Sequence, residues 1–112
     1  MKIKVPFKSW KLIVEKEVDF VFNIGTLECA TEEILKCDLF DVGEQNPYDV
    51  NVAILYAGYL IACEKLGKRK RYDLNHAVFW MEHMSKTSQE EFLKAVQALL
   101  GKMAKGKEEK KK

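Results

Sequence analysis

At 112 residues, with 47% hydrophobic and 32% charged, the chain has the size and composition of one domain with one modest core, not of a disordered or multi-domain protein. Its formal net charge of +2 gathers at Lys68-Arg69-Lys70-Arg71 and beyond Lys102, which does not give the basic face of a nucleic-acid binder. Cys29, Cys37 and Cys63 form no CxxC and read as small buried hydrophobes of a reduced, cytosolic protein. "MKIKVPFKSW" lacks the apolar core of a secretion signal. The longest apolar run, Val50 to Cys63, is too short to cross a bilayer.

The first regular pattern is a period of two. Trp10, Leu12 and Val14 point one way and Lys11 the other; after "EKE" the alternation resumes with Val18, Phe20 and Phe22. Two such runs around a charged turn predict an antiparallel β-hairpin over about 10–22. "KIKVPF" alternates too, but Pro6 lacks a donor and confines it to an edge strand or a bulge.

The pattern changes to helical within "FNIGTLE". Asn23 suits an N-cap, with Phe22 and Leu27 at the two positions of a hydrophobic staple; Thr26 is a rival cap. Glu28, Glu32 and Glu33 crowd the N-terminal half of the helix predicted over 24–37, where the dipole favours them. Ile24, Leu27, Ile34 and Leu35 fall on one side, facing the hairpin. The connector that follows, with Phe40 and Val42, is expected to pack down.

Asn46-Pro47 starts a second helix, 47–66, apolar nearly all round and therefore central, with Gly67 as its stop. Asp73 caps a third over 74–84, and Ser88 with Glu91 forms a capping box before a fourth over 89–101. From Lys102 apolar residues nearly vanish, and 102–112 is expected to be a disordered lysine-rich tail after a single domain over 1–101. The expected fold is mainly α, about four helices, with a small N-terminal hairpin.

Chemistry-bearing constellations are scarce. His76 and His83 share a helix face about 10 Å apart at 1.5 Å rise per residue, too far to hold one metal ion together. Adding Cys63 and Glu82 matches no metal-site spacing. Glu32-Glu33 and Glu90-Glu91 are explained by helix dipoles, and the six glycines form no phosphate loop. The reading is a non-enzyme without metal or cofactor. Left over are aromatic residues in excess of a small core, the basic segment followed by Tyr72, and the Met81–Met84 end of the third helix. These suit binding of another polypeptide.

The order of these pieces resembles the tail assembly chaperones of long-tailed bacteriophages and related prophages. The resemblance is carried by "VDFVFNIGTLECATEEI", "DLFDV", "NPYDVNVAILYAGYLIACEKLGK", "DLNHAVFWMEHM" and "SQEEFLKAVQALL". It implies a non-enzymatic protein of the bacterial host cytoplasm, not part of the mature virion. Such a protein holds the tape-measure protein soluble and recruits tail-tube subunits. The residues expected to contact a partner are Tyr56, Tyr59, Phe79, Trp80 and Met84, with Lys68, Arg69 and Arg71 as an electrostatic rim; self-association is a further expectation. The resemblance also implies a longer frameshifted form, for which Lys110-Lys111-Lys112 would supply an A-rich codon run; a merely solvating terminus is the alternative. The other function classes are a small helical DNA-binding regulator, which the third helix suits poorly because it carries no Arg or Lys, and a generic protein-interaction adaptor.

Overall fold

A computed structural model describes residues 1–37 and 45–110, with side chains as far as 102. The expected contributions of Phe40 and Val42 lie outside the described residues. Strands β1 (Lys2–Ser9) and β2 (Leu12–Asp19) form an antiparallel hairpin. Helix α1 (Ile24–Glu28) continues directly as a π-helical segment, Cys29–Leu35. Helices α2 (Pro47–Leu66), α3 (Leu74–His83) and α4 (Lys86–Lys110) follow. The chain is mainly α with a small N-terminal hairpin, as the sequence predicts.

The hairpin lies earlier than its sequence pattern suggests. "EKE" is not its turn but the middle of β2, and "KIKVPFKS" is the partner strand, joined through a two-residue turn at Trp10-Lys11 with Trp10 at φ 56°. Pro6 is compatible with this ladder because of its phase. Met1 and Phe20 exchange both backbone hydrogen bonds, at 2.8 Å each, so inward-pointing groups alternate from there: residues 3, 5, 7 and 9 bond toward β2 while 2, 4, 6 and 8 point away. Pro6 falls where its missing N–H would have faced outward. Ile3, Val5 and Val18 are buried on one face, with Phe7 half-buried beside them.

The junction between strand and helix is a capping box that uses both rival caps. The Asn23 side chain accepts from Thr26 N at 3.0 Å, while Thr26 Oγ1 accepts from Asn23 N at 3.1 Å. Thr26 is fully buried and its hydroxyl donates to Val21 O at 2.6 Å, fastening the helix start to the end of the hairpin. Beyond it, Thr31 Oγ1 donates to Leu27 O at 2.9 Å and to Glu28 O at 3.2 Å. Such bonding of a side chain back into the helical ladder coincides with its widening into π geometry. The segment ends at Lys36, in the left-handed region at φ 55°.

Helix α2 is central, as its all-round apolar sequence requires. It buries Val52 through Leu55, Ala57, Tyr59, Ala62 and Cys63 against α1, the π segment, α3 and β2. Its end is a Schellman motif: Lys68 N donates to Cys63 O at 2.9 Å, Gly67 N to Glu64 O at 3.4 Å, and Gly67 adopts φ 66°. At Gly58 the chain leaving the hairpin touches the helix backbone. Val21 N donates to Gly58 O at 3.0 Å, and the Phe22 ring lies where a Cβ on Gly58 would be.

Helix α4 begins earlier and ends later than its sequence reading. Ser85, not Ser88, takes the cap: its Oγ accepts from Ser88 N at 3.3 Å and its carbonyl from Gln89 N at 2.9 Å. The backbone stays helical to Lys110, through a stretch expected to be a disordered tail. Lys, Glu, Ala and Met are all strong helix formers, and an apolar face is not required to extend a helix already started.

Candidate functional site

The residues expected to contact a partner divide into three groups. Trp80 is completely enclosed, and Tyr59 and Met84 are buried with it. These three are core, contrary to their expected role. Phe7, Phe20, Tyr59 and Tyr72 surround Trp80 edge-on at ring separations of 5.7, 5.8, 5.8 and 5.6 Å, a preferred arrangement of aromatic quadrupoles. Its Nε1 is buried without a hydrogen-bond acceptor. Of the aromatic surplus read from the sequence, Tyr59, Tyr72 and Trp80 are thus spent in one five-ring cluster with Phe7 and Phe20, while Trp10 and Tyr48 are exposed.

Tyr56 and Phe79 are half-buried. Tyr56 OH donates to Tyr72 O at 3.2 Å, and Phe79 packs against His83 at 4.4 Å between rings. One turn along α2, Tyr59 OH accepts from Arg71 N at 2.7 Å and from Tyr72 N at 3.2 Å. The two tyrosines therefore clamp the connection between α2 and α3. Burial, foremost, pushes the Tyr59 phenol up to about 12, so it stays a neutral hydroxyl at any physiological pH.

The third group, Lys68, Arg69 and Arg71, is exposed and rims a cleft of about 490 Å³ between the end of β2 and the end of α2. The cleft also presents Glu17 and Asp19, so its charge is mixed. Lys68 Nζ donates to Asp19 Oδ2 at 2.8 Å, and that hydrogen bond holds the Asp19 carboxyl below its usual range. One of the three cations is thus already engaged.

Both histidines have local structural partners. His76 belongs to the capping box of α3: Asp73 Oδ1 accepts from His76 N at 3.1 Å, and Asp73 N donates to His76 Nδ1 at 3.2 Å. Among the described residues, no cluster of three His, Cys, Asp or Glu side chains could hold a metal ion. Burial, foremost, and then Glu33 beside it raise the Cys29 thiol to about 11, which keeps it protonated and a poor nucleophile.

Among the described residues, a concavity larger than the basic cleft lies at the joint between the hairpin and the first helix. A groove of about 720 Å³ runs between the strand–helix junction and the second half of α4. Phe20, Val21, Phe22, Ile24 and Gly25 form one wall; Ala95, Ala98, Leu99 and Lys102 form the other. Those four positions recur at helical spacing and make one stripe, three of them apolar and two of them alanine. Ile24, expected to face the hairpin, is 56% exposed at the rim. The signal was present in the sequence: Ala95 and Ala98 break the bulky pattern of Phe92, Val96 and Leu99, leaving a shallow strip beside a buried one.

Two further facts bear on function. Among the described residues no helix is long and apolar enough to cross a membrane. Compared with known proteins, the chain matches no family model, no curated sequence and no solved structure.

Proposed function

We propose that the protein is a non-enzymatic assembly chaperone of the phage tail kind, which sequesters apolar helical segments of a tape-measure protein and presents them to tail-tube subunits. The groove between Phe22–Gly25 and Ala95–Lys102 is the observation that carries this reading. It is open, largely apolar and bounded by a helical stripe with two alanines, so an incoming amphipathic helix can approach α4 closely. Lys102 at its end offers a charge to an acidic flank of the guest. The "FNIG" motif that contributes to the resemblance forms one of its walls.

The test is co-expression of the full chain with the tape-measure protein of its source genome. The wild-type chain is expected to raise the soluble fraction of the tape-measure protein and to co-purify with it. Ala98→Glu, which places a carboxylate on the groove wall at an exposed position, is expected to abolish both effects without changing helix content by circular dichroism. A tape-measure protein equally insoluble with and without the chain, or full activity in Ala98→Glu, would refute the proposal.

A further inference from the structure

The turn end of the hairpin stands clear of the helices. Ile3, Val5 and Pro6 are buried and Phe7 is half-buried, but every residue from Lys8 to Ile13 is exposed. Three of these six are large and apolar: Trp10 is 87% exposed, Leu12 70% and Ile13 56%. Leu12 pairs with Ser9 and Ile13 with Lys8, so the two aliphatic side chains lie on opposite faces of the ladder, with the Trp10 ring at its end. Trp10 also holds φ 56°, a left-handed conformation that is an outlier for a bulky residue and that glycine adopts at no cost. A ring so exposed gains little packing within the chain, so folding gives no reason for it at that position. The charge around it has one sign. Lys8 and Lys11 belong to the tip, and Lys16 leans toward it, its Nζ 5.6 Å from the Phe7 ring centre. The hairpin's acidic residues, Glu15, Glu17 and Asp19, all lie further from the turn, opposite Pro6, Lys4 and Lys2. Among the described residues, Lys8, Lys11 and Lys16 enter no ion pair.

We propose that this tip inserts end-on into the interfacial layer of an anionic lipid bilayer, burying Trp10, Leu12 and Ile13 while Lys8, Lys11 and Lys16 stay at the headgroups. The geometry selects this occupant. A helix or strand laid against the hairpin would cover one face of the tip and leave either Leu12 or Ile13 in water. A bilayer interface closes around both faces at once. Tryptophan favours that depth, apolar on its ring and able to donate from its N–H. Lysine stems can lie along the apolar layer with their ammonium groups at the phosphates. A cluster of lysines with no carboxylate among them is attracted to anionic lipid. A nucleic acid would match the lysines and could stack on Trp10, but it leaves Leu12 and Ile13 without an apolar partner. With three apolar side chains and three cations, the attachment is reversible and weakens as salt screens it. It is peripheral, and requires no helix that crosses the membrane.

Co-sedimentation of the full chain with phosphatidylcholine vesicles, with and without phosphatidylglycerol, tests this. Binding is expected to be at least roughly tenfold tighter to the vesicles that contain phosphatidylglycerol, and to fall as salt rises. Tryptophan emission gives a second readout. Trp80 is fully enclosed, so a blue shift on adding vesicles reports on Trp10, the other of the two tryptophans. Trp10→Gly removes the ring and suits the left-handed turn; it is expected to weaken binding roughly tenfold with an unchanged circular dichroism spectrum. Lys8→Glu combined with Lys11→Glu, both at exposed positions, is expected to weaken binding to the anionic vesicles roughly twentyfold or more. The charge-reversed chain decides the matter even where Trp10→Gly does not fold. No binding to vesicles that contain phosphatidylglycerol, wild-type binding by the charge-reversed chain, or tighter binding to a single-stranded oligonucleotide than to those vesicles overturns the proposal.

Discussion

Replacing Gly58 by alanine separates intrinsic helix propensity from packing. Gly58 lies within α2, where alanine in place of glycine is ordinarily worth about 1 kcal/mol. Here the added Cβ would lie 2.6 Å from Phe22 Cε1, with Cδ1 and Cζ at 3.1 and 3.2 Å. The ring cannot simply swing aside. It stacks on Phe20 at 5.9 Å and meets Phe92 edge-on at 5.6 Å, while Val21 beside it is bonded to Gly58 O. Overpacking of this kind costs about 1–3 kcal/mol, so Gly58→Ala should be net destabilising, by up to about 2 kcal/mol after the propensity gain. Urea unfolding followed by far-ultraviolet circular dichroism measures the difference. Phe22→Leu shortens the obstructing side chain, so the double variant should be more stable than the sum of the two single losses predicts. A Gly58→Ala chain more stable than wild type by about 1 kcal/mol would show that the ring yields freely and refute the reasoning.

Three further outcomes are expected. Gly67→Ala meets no atom within 4 Å yet must adopt φ 66°, so it should lower stability by about 1 kcal/mol in the same unfolding assay through backbone conformation alone. Trp80→Phe should cost clearly less than Trp80→Ala, for which about 3–5 kcal/mol is typical, because Nε1 has no acceptor to lose; thermal unfolding of the two variants checks the order. Asp19 has a folded-state pKa below its unfolded value, so its ion pair with Lys68 contributes stability above about pH 4, which is lost as pH falls through the folded pKa. Asp19→Asn should therefore differ from wild type by under about 1 kcal/mol at neutral pH, and the two chemical-denaturation curves should converge in acid.

The helices were legible in the sequence wherever a local signal fixed them: Asn46-Pro47 and Gly67 bound α2, and Asp73 opens α3. The joint at Asn23 was readable because capping chemistry is decided within four residues. The hairpin register was not, since it depends on a tertiary partner. Pro6 is harmless only in one phase of the ladder, and the turn at Trp10 uses a left-handed residue that is not glycine. The enclosure of Trp80 was hidden for a similar reason. Its neighbours come from β1, α2, the end of the hairpin and the connection before α3, elements far apart in the chain. Leftover aromatic residues cannot be counted before it is known which of them gather around one another. The groove leaves only a local trace in the sequence, at Ala95 and Ala98, because its other wall comes from the strand–helix junction at the opposite end of the chain.

The clamp formed by Tyr59 grips peptide amides, those of Arg71 and Tyr72, and leaves side-chain identity at residue 71 out of its grasp. Together with the glycine stop at the end of α2, this makes the course of the connection independent of most of the letters written along it. Arg69, Lys70 and Arg71 can then be recoded, reversed in sign or neutralised with little consequence for folding, whereas Lys68 is tied to Asp19. The charge along that segment can drift while the scaffold beneath stays unchanged.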